Sequence, residues 1–247
     1  MLEGLVDWWR ELVKPEQAGV WEEHFDYRAL RLSVGLIGFV LPFALYLRAS
    51  IFDHYPGLPS ISSYYHSSGQ DIFVGSLCII AMFLLTYHGK ATADRRVSTI
   101  GGIAALGIAF FPTAPLTNVS SVDEIVSMIH LFSAGVFFIV LAVFCLGLFP
   151  NAPRFMDANQ RTIYEIRRDR IYRVCGWLII FCMIAIVLTK IFPGDWVLKW
   201  RPVFYLEWLA LVAFGASWIT AGKYWRFSGI VGNAEAYGKP NRKIEVE

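Results

Sequence analysis

Histidines, carboxylates and hydroxyl groups gather where apolar segments of this chain begin, a placement that could build a binding or catalytic site. Six side chains share it: Ser62, Tyr65, His66 and Asp71 before one apolar segment, His130 in a second and Glu207 in a third. Imidazole nitrogens and carboxylate oxygens can bind zinc, transfer protons or hydrogen-bond a polar ligand. The four that could serve as metal ligands are His66, Asp71, His130 and Glu207.

The elements that must position these side chains are membrane helices. The chain is 56% hydrophobic and only 17% charged, with a mean hydropathy of +0.49, so it is more apolar than an ordinary soluble domain. Its apolar segments fall at about 30–48, 70–88, 97–112, 126–149, 174–192 and 202–222. Each can cross a hydrocarbon core as a helix, and none has the alternating pattern of a barrel strand. The sequence therefore predicts an all-α polytopic membrane protein, with a bundle of six transmembrane helices in residues 28–222.

The two ends of the chain are predicted to lie in the cytoplasm. Residues 1–27 begin "MLEGLVDWWRELVKPEQ", in which the apolar residues recur at helical spacing, so they predict an N-terminal amphipathic helix at the membrane interface. Residues 223–247 form a basic tail. All but four of the 22 Lys and Arg residues share the side of the termini, the exceptions being Arg48, Lys190, Lys199 and Arg201. The positive-inside rule then places the protein in a plasma or inner membrane, with the six candidate residues outside.

Each candidate residue also has a purely structural interpretation. Ser68 to Asp71 and Ser121 to Glu124 both have the Ser-x-x-acid spacing of a helix capping box. His130 could hydrogen-bond a neighbouring helix, and Glu207 could pair with Arg201 at the interface. His66 and the adjacent tyrosines could simply be interfacial loop residues.

Cofactor signals are weak. The four cysteines, Cys78, Cys145, Cys175 and Cys182, fall inside the predicted spans and form no CxxC pair, so neither a disulfide framework nor a zinc site of the usual spacing is expected. His88 and His130 fall at opposite sides of the membrane, which argues against a haem held by this pair. Membrane lipids are the expected partners, nucleic acid is not, and a homo-oligomer remains an open alternative.

The segment "LPSIS", Leu58 to Ser62, together with His130 at the start of the fourth helix, resembles a broad group of six-helix membrane proteins. That group includes the eukaryotic GPI-anchor lipid-remodelling proteins and the damage-regulated autophagy modulators. The chain looks closer still to uncharacterised bacterial six-helix membrane proteins that carry a domain of unknown function. The resemblance implies a six-helix fold and a role directed at lipids, with lipid remodelling as one form of it.

The leading functional hypothesis is a polar outer-face pocket that binds a lipid head group or a similar amphiphile. In it, Tyr65 and His66 lie at the rim, Asp71 orients a histidine, and Glu207 holds a cationic group or a proton. One alternative is a metal-dependent membrane lipid hydrolase that uses the same histidines and carboxylates. Another is a small transporter or a regulatory scaffold, favoured if the basic inner face recruits a partner or acidic lipid.

Overall fold

The computed structural model describes residues 27–54, 57–87, 92–151 and 163–222. Within these ranges all regular secondary structure is helical. The predicted interfacial helix before residue 27 and the basic tail after residue 222 lie outside the described residues.

Six long helices and several short helical segments make up the described chain. The long helices are α1 Tyr27–Phe52, α2 Gln70–Thr86, α3 Thr92–Phe110, α4 Ser121–Val143, α5 Ile163–Ile191 and α7 Pro202–Ala221, and the short helix α6 is Asp195–Trp200. A 3₁₀ turn, Ser62–His66, precedes α2. Helix α4 continues as a π-helical segment, Phe144–Leu148, and a 3₁₀ turn, Phe149–Asn151.

Four of the described helices are long and apolar enough to cross a membrane: Leu30–Phe52, Ser121–Leu148, Ile166–Ile191 and Pro202–Ala221. Helix α2 is apolar but has 17 residues, or about 26 Å, somewhat less than a hydrocarbon core of about 30 Å. Helix α3 carries Asp94, Arg95 and Arg96 in its first turns, which lowers its hydropathy. The fold is thus that of a helical membrane protein with four candidate spans, fewer than the six predicted.

The long helices close into a ring. Each contacts two neighbours in the order α1, α2, α3, α4, α5, α7 and back to α1. The ring of helices encloses a cluster of aromatic side chains in edge-to-face or tilted contact. Its centre is Trp218, whose ring centroid lies 5.4 to 5.7 Å from those of Tyr87, Phe144, Phe149 and Phe214. Many large apolar side chains face outward, as expected of a surface in contact with lipid.

The bundle has two distinct ends, which two helices connect. At the start of α1 the Arg31 guanidinium donates to the Tyr87 hydroxyl, and near its end the Arg48 Nε donates to the Ser68 carbonyl. Helix α7 runs in the opposite direction, from a contact with Pro59 to a contact with Arg31. We call these the 3₁₀ end, which carries Ser62–His66, and the Tyr87 end.

Neither predicted capping box is formed by the residues predicted for it. Gly69 precedes α2 without a side-chain cap, and the Ser68 amide and hydroxyl instead donate to the Asp53 carboxylate at 3.0 Å. Before α4 the box is formed one residue earlier than predicted, by Ser120 and Asp123. Asp53 carries no sequence signal of this contact, because its partner is 15 residues away along the chain.

Candidate functional site

The segment that contains Ser62 is fastened to the start of α7. The Ile61 amide donates to the Glu207 carboxylate at 2.5 Å, and the Ser62 amide donates to the same group. The Phe204 amide donates to the Pro59 carbonyl at 3.1 Å. That amide belongs to the first turn of α7 and has no acceptor within its own helix. Glu207 therefore satisfies backbone donors, rather than pairing with Arg201 as the structural interpretation proposed.

His66 and His130 both bind the segment that leaves α3. The His130 Nδ1 donates to the Phe111 carbonyl, and the His66 Nε2 donates to the Thr113 carbonyl, each at 2.6 Å. His130 is 1% exposed, whereas His66 is exposed at the surface. The two histidines thus fix one connecting segment from two sides, and the acceptor of His130 is the residue that directly follows α3.

The remaining predicted residues lie at the surface of the 3₁₀ end. Tyr65 is half-buried, with its ring edge-on to His66 at 5.3 Å between centroids. Asp71 is exposed, and its carboxylate forms no hydrogen bond or ion pair within the described ranges. The described residues contain no group of three or more His, Cys, Asp or Glu side chains that could hold a metal ion. Hydrogen bonds therefore link four of the six candidates in two pairs, Ser62 with Glu207 and, through one segment, His66 with His130.

A cavity of about 320 Å³ opens beside the Glu207 contact at the 3₁₀ end. Its lining combines two cations, three tyrosines and apolar groups: Lys199, Arg201, Tyr46, Tyr64, Tyr205, Gly57, Leu58, Trp200 and Phe204. We call it the outer cavity. It lies next to the start of the candidate span of α7 and near the end of that of α1. Polar groups at the end of a span, beside exposed aromatic side chains, are typical of a membrane interface.

Arg201 is the central cation of the outer cavity. Its backbone has φ 47° and ψ 50°, a left-handed conformation that is uncommon outside glycine. Such conformations are concentrated at functional sites. The guanidinium packs on Gly57, where an added Cβ would lie 1.7 Å from the Arg201 Nη1. Within the described chain this guanidinium forms no hydrogen bond or ion pair, so its donors are available to a ligand.

Tyr64 forms the inner wall of the cavity. It is fully buried, and its ring lies 6.1 Å from that of Phe204. Burial raises the pKa of the Tyr64 hydroxyl to about 12, although a backbone contact at Leu58 and the charge of Arg201 act in the opposite direction. The hydroxyl therefore stays protonated and keeps its hydrogen at any physiological pH.

None of the six candidates predicted from sequence lines this cavity, although Ser62 and Glu207 hold its wall in place. Three of its polar residues have a sequence signal, although that signal does not indicate a cavity. Lys199 and Arg201 are two of the four cations on their side of the chain, and Tyr64 lies within the polar segment that holds the other candidates. Ligand binding by the six predicted residues stays a prediction.

Comparison with protein-family models, curated proteins and solved structures found no significant match to this chain. Its function must therefore be argued from the geometry of its own residues.

Proposed function

We propose that this protein is an integral membrane protein that binds the anionic head group of a lipid, or a similar amphiphile, in the outer cavity. The observation that carries the proposal is the Arg201 guanidinium, with which no described residue pairs, with Lys199 beside it in a cavity at the end of two candidate spans. A guanidinium forms two parallel hydrogen bonds with a phosphate group, and tyrosine hydroxyls add neutral donors. A volume of about 320 Å³ is at the small end of ligand pockets and suits a head group rather than a whole lipid.

The surroundings of the cavity fit a lipid ligand better than a soluble one. Trp200 and Tyr205 are 68% and 59% exposed beside the cavity mouth. Exposed aromatic side chains at this level favour the head-group region of a bilayer. A lipid could place its phosphate at Arg201 while its acyl chains follow the apolar outer surface of α1 and α7.

We further infer that all six long helices cross the membrane, with the 3₁₀ end outside. Helices α2 and α3 each run between the two ends of the closed ring, so they share the depth of their neighbours. The opposite end carries the basic residues Arg95, Arg96, Arg167, Arg170 and Arg173, which the positive-inside rule assigns to the cytoplasm. This orientation places the outer cavity in the outer leaflet.

In this proposal Glu207 is a positioning residue, because it holds the wall that carries Gly57 and Tyr64 against α7. It does not itself bind the ligand. The two histidines fix the segment after α3 at the same end of the bundle and keep the surface around the cavity in place.

The proposal is tested by offering the detergent-purified protein phosphatidylglycerol or phosphatidylcholine and counting retained lipids by native mass spectrometry. We expect retention of phosphatidylglycerol, and a loss of affinity of about 10- to 100-fold in Arg201→Gln, the effect of one charge-assisted hydrogen bond. Lys199→Gln should weaken retention as well. Lys190→Gln is the matched control, because Lys190 is exposed at the same end but does not line the cavity. Equal retention of the two lipids, or wild-type retention by a folded Arg201→Gln protein, would refute the proposal.

A further inference from the structure

The Tyr87 end contains a second group of polar side chains, at the opposite end of the bundle from the outer cavity. We call it the Tyr87 cluster, and its members are Arg31 from α1, Tyr87 after α2, Arg168, Asp169 and Tyr172 from α5, and Trp218 from α7. Arg31 donates to the Ala221 carbonyl at 3.2 Å and to the Tyr87 hydroxyl at 2.6 Å. Its guanidinium carbon also lies 5.4 Å from the centroid of the Tyr87 ring.

Three N–H donors in this cluster have no partner in the described part of the chain. They are the Nε of Arg31, the Nε of Arg168 and the Nε1 of Trp218, and all three atoms are buried. Trp218 is only 1% exposed, so bulk water does not reach its indole. A buried donor without an acceptor costs about 1–3 kcal/mol. The described residues of this region hold three such donors and one buried acceptor atom to which no described residue donates, the Asp169 Oδ1, so donors are in excess and an added acceptor is favoured.

The three donors belong to neighbouring side chains. Trp218 and Tyr87 are in edge-to-face contact, with 5.7 Å between ring centroids. The Tyr87 hydroxyl accepts a hydrogen bond from the Arg31 guanidinium. Arg168 lies one helical turn before Tyr172 on α5. The Tyr172 ring is 5.2 Å from that of Phe149, which is 5.5 Å from the indole of Trp218. The donors of α1, α5 and α7 therefore face a common region.

The charge of the Tyr87 cluster selects the ligand. The cluster holds two guanidinium groups and one buried carboxylate, that of Asp169, so its members together carry a net positive charge. A group that accepts several N–H bonds and brings negative charge is a carboxylate or a phosphate. The π-helical segment Phe144–Leu148 supports a functional role, because its Phe144 ring packs on Tyr87 and Trp218 and such segments are frequent at functional sites.

We propose that the Tyr87 cluster is a second anion-binding site, which takes an oxyanion such as phosphate from solution or from a lipid head group. It is independent of the outer cavity, so either site can exist without the other. Arg168 and Trp218 supply free donors, while Arg31 is held in place by Tyr87 and by the end of α7.

The test uses Arg201→Gln protein in phosphatidylcholine vesicles, so that binding at the outer cavity does not contribute. Binding of radiolabelled inorganic phosphate is measured first, and binding of radiolabelled phosphatidic acid, added to the same vesicles, is measured second. Phosphate binding identifies a soluble anion as the ligand, and binding of phosphatidic acid alone identifies a lipid head group. Either supports the site, and a folded protein that binds neither overturns it.

Two variants locate the bound anion. Trp218→Phe keeps the ring and removes only the N–H, and Arg168→Gln removes a charge without breaking a hydrogen bond between described residues. Each should weaken binding about tenfold or more. Arg170→Gln is the matched control, since Arg170 is exposed on the same helix. Folding of each variant is checked by circular dichroism, and anion binding that all three variants leave unchanged would place the anion elsewhere and overturn the proposal.

Discussion

Replacing Glu207 by glutamine should loosen the wall of the outer cavity and lower the stability of the protein. The Glu207 carboxylate accepts the amides of Ile61 and Ser62. Hydrogen bonds to a charged acceptor contribute about 1.5–3 kcal/mol each, and those to a neutral acceptor about half as much. Glutamine also turns an NH₂ group towards one of the two amides. We therefore expect Glu207→Gln to reduce the free energy of unfolding by about 2–3 kcal/mol.

Thermal unfolding in detergent and amide exchange together test this prediction. A loss of 2–3 kcal/mol corresponds to a fall of about 4–12 °C in Tm for a chain of this size. The Ile61 amide should exchange faster with solvent in the variant, while amides in the middle of α1 keep their rates. Glu124→Gln is the matched control, because Glu124 is exposed and its side chain forms no hydrogen bond within the described residues. If the two variants have the same Tm, or if the exchange rate of the Ile61 amide is unchanged, the Glu207 contact does not hold the cavity wall.

Three further predictions test the geometry of the same end. Gly57→Ala should weaken phosphatidylglycerol retention several-fold, since its Cβ would displace the adjacent guanidinium; Gly75→Ala, which has open space around its Cβ, should not. Because the pKa of Tyr64 is raised from 10.0 to about 12, the unfolded state loses this proton first. The contribution of Tyr64 to the free energy of unfolding should thus be constant below pH 10 and fall as the pH rises towards 12. Tyr64→Phe should remove this contribution from alkaline unfolding curves. His130→Ala should lower the free energy of unfolding by about 2–4 kcal/mol in urea unfolding, because it leaves a buried cavity and removes the donor to the Phe111 carbonyl. Exposed His66→Ala should cost about 1 kcal/mol or less, and similar losses would contradict the difference in burial.

Hydropathy predicted the helices well wherever an apolar segment had a clear polar boundary. The segment expected at 202–222 is helix Pro202–Ala221, and the one expected at 70–88 is helix Gln70–Thr86. Helix α3 begins at Thr92 rather than near 97. Its first turns are helical but made of polar residues, and hydropathy detects only the apolar part of a helix. Helix α6 was not predicted, since six residues between two spans carry no periodic signal.

The candidate site could be predicted only as a region. Sequence indicated that polar residues gather at one end of the bundle, and the cavity is at that end. It could not indicate which of them line a cavity, because the rotation of a helix about its axis is not set by mean hydropathy. Tyr64 and Tyr65 show the problem, since the first is buried in the cavity wall and the second lies half-buried beside His66. Arg201 has a left-handed backbone where α6 meets α7, and its residue type does not predict that conformation.

The ring of helices cannot close during synthesis until α7 has been made, because α7 is a neighbour of α1. Helix α1 is made before the other described helices, but one of its two neighbours is α7, and the Arg31 contact with Ala221 joins residues 190 positions apart. At about 5–20 residues per second, the ribosome needs roughly 10–40 s to cover that distance. During this interval the face of α1 that carries Arg31 and Gly35 has no α7 to cover it. Helix α1 must therefore wait in the membrane, or with an insertion chaperone, until α7 has been made.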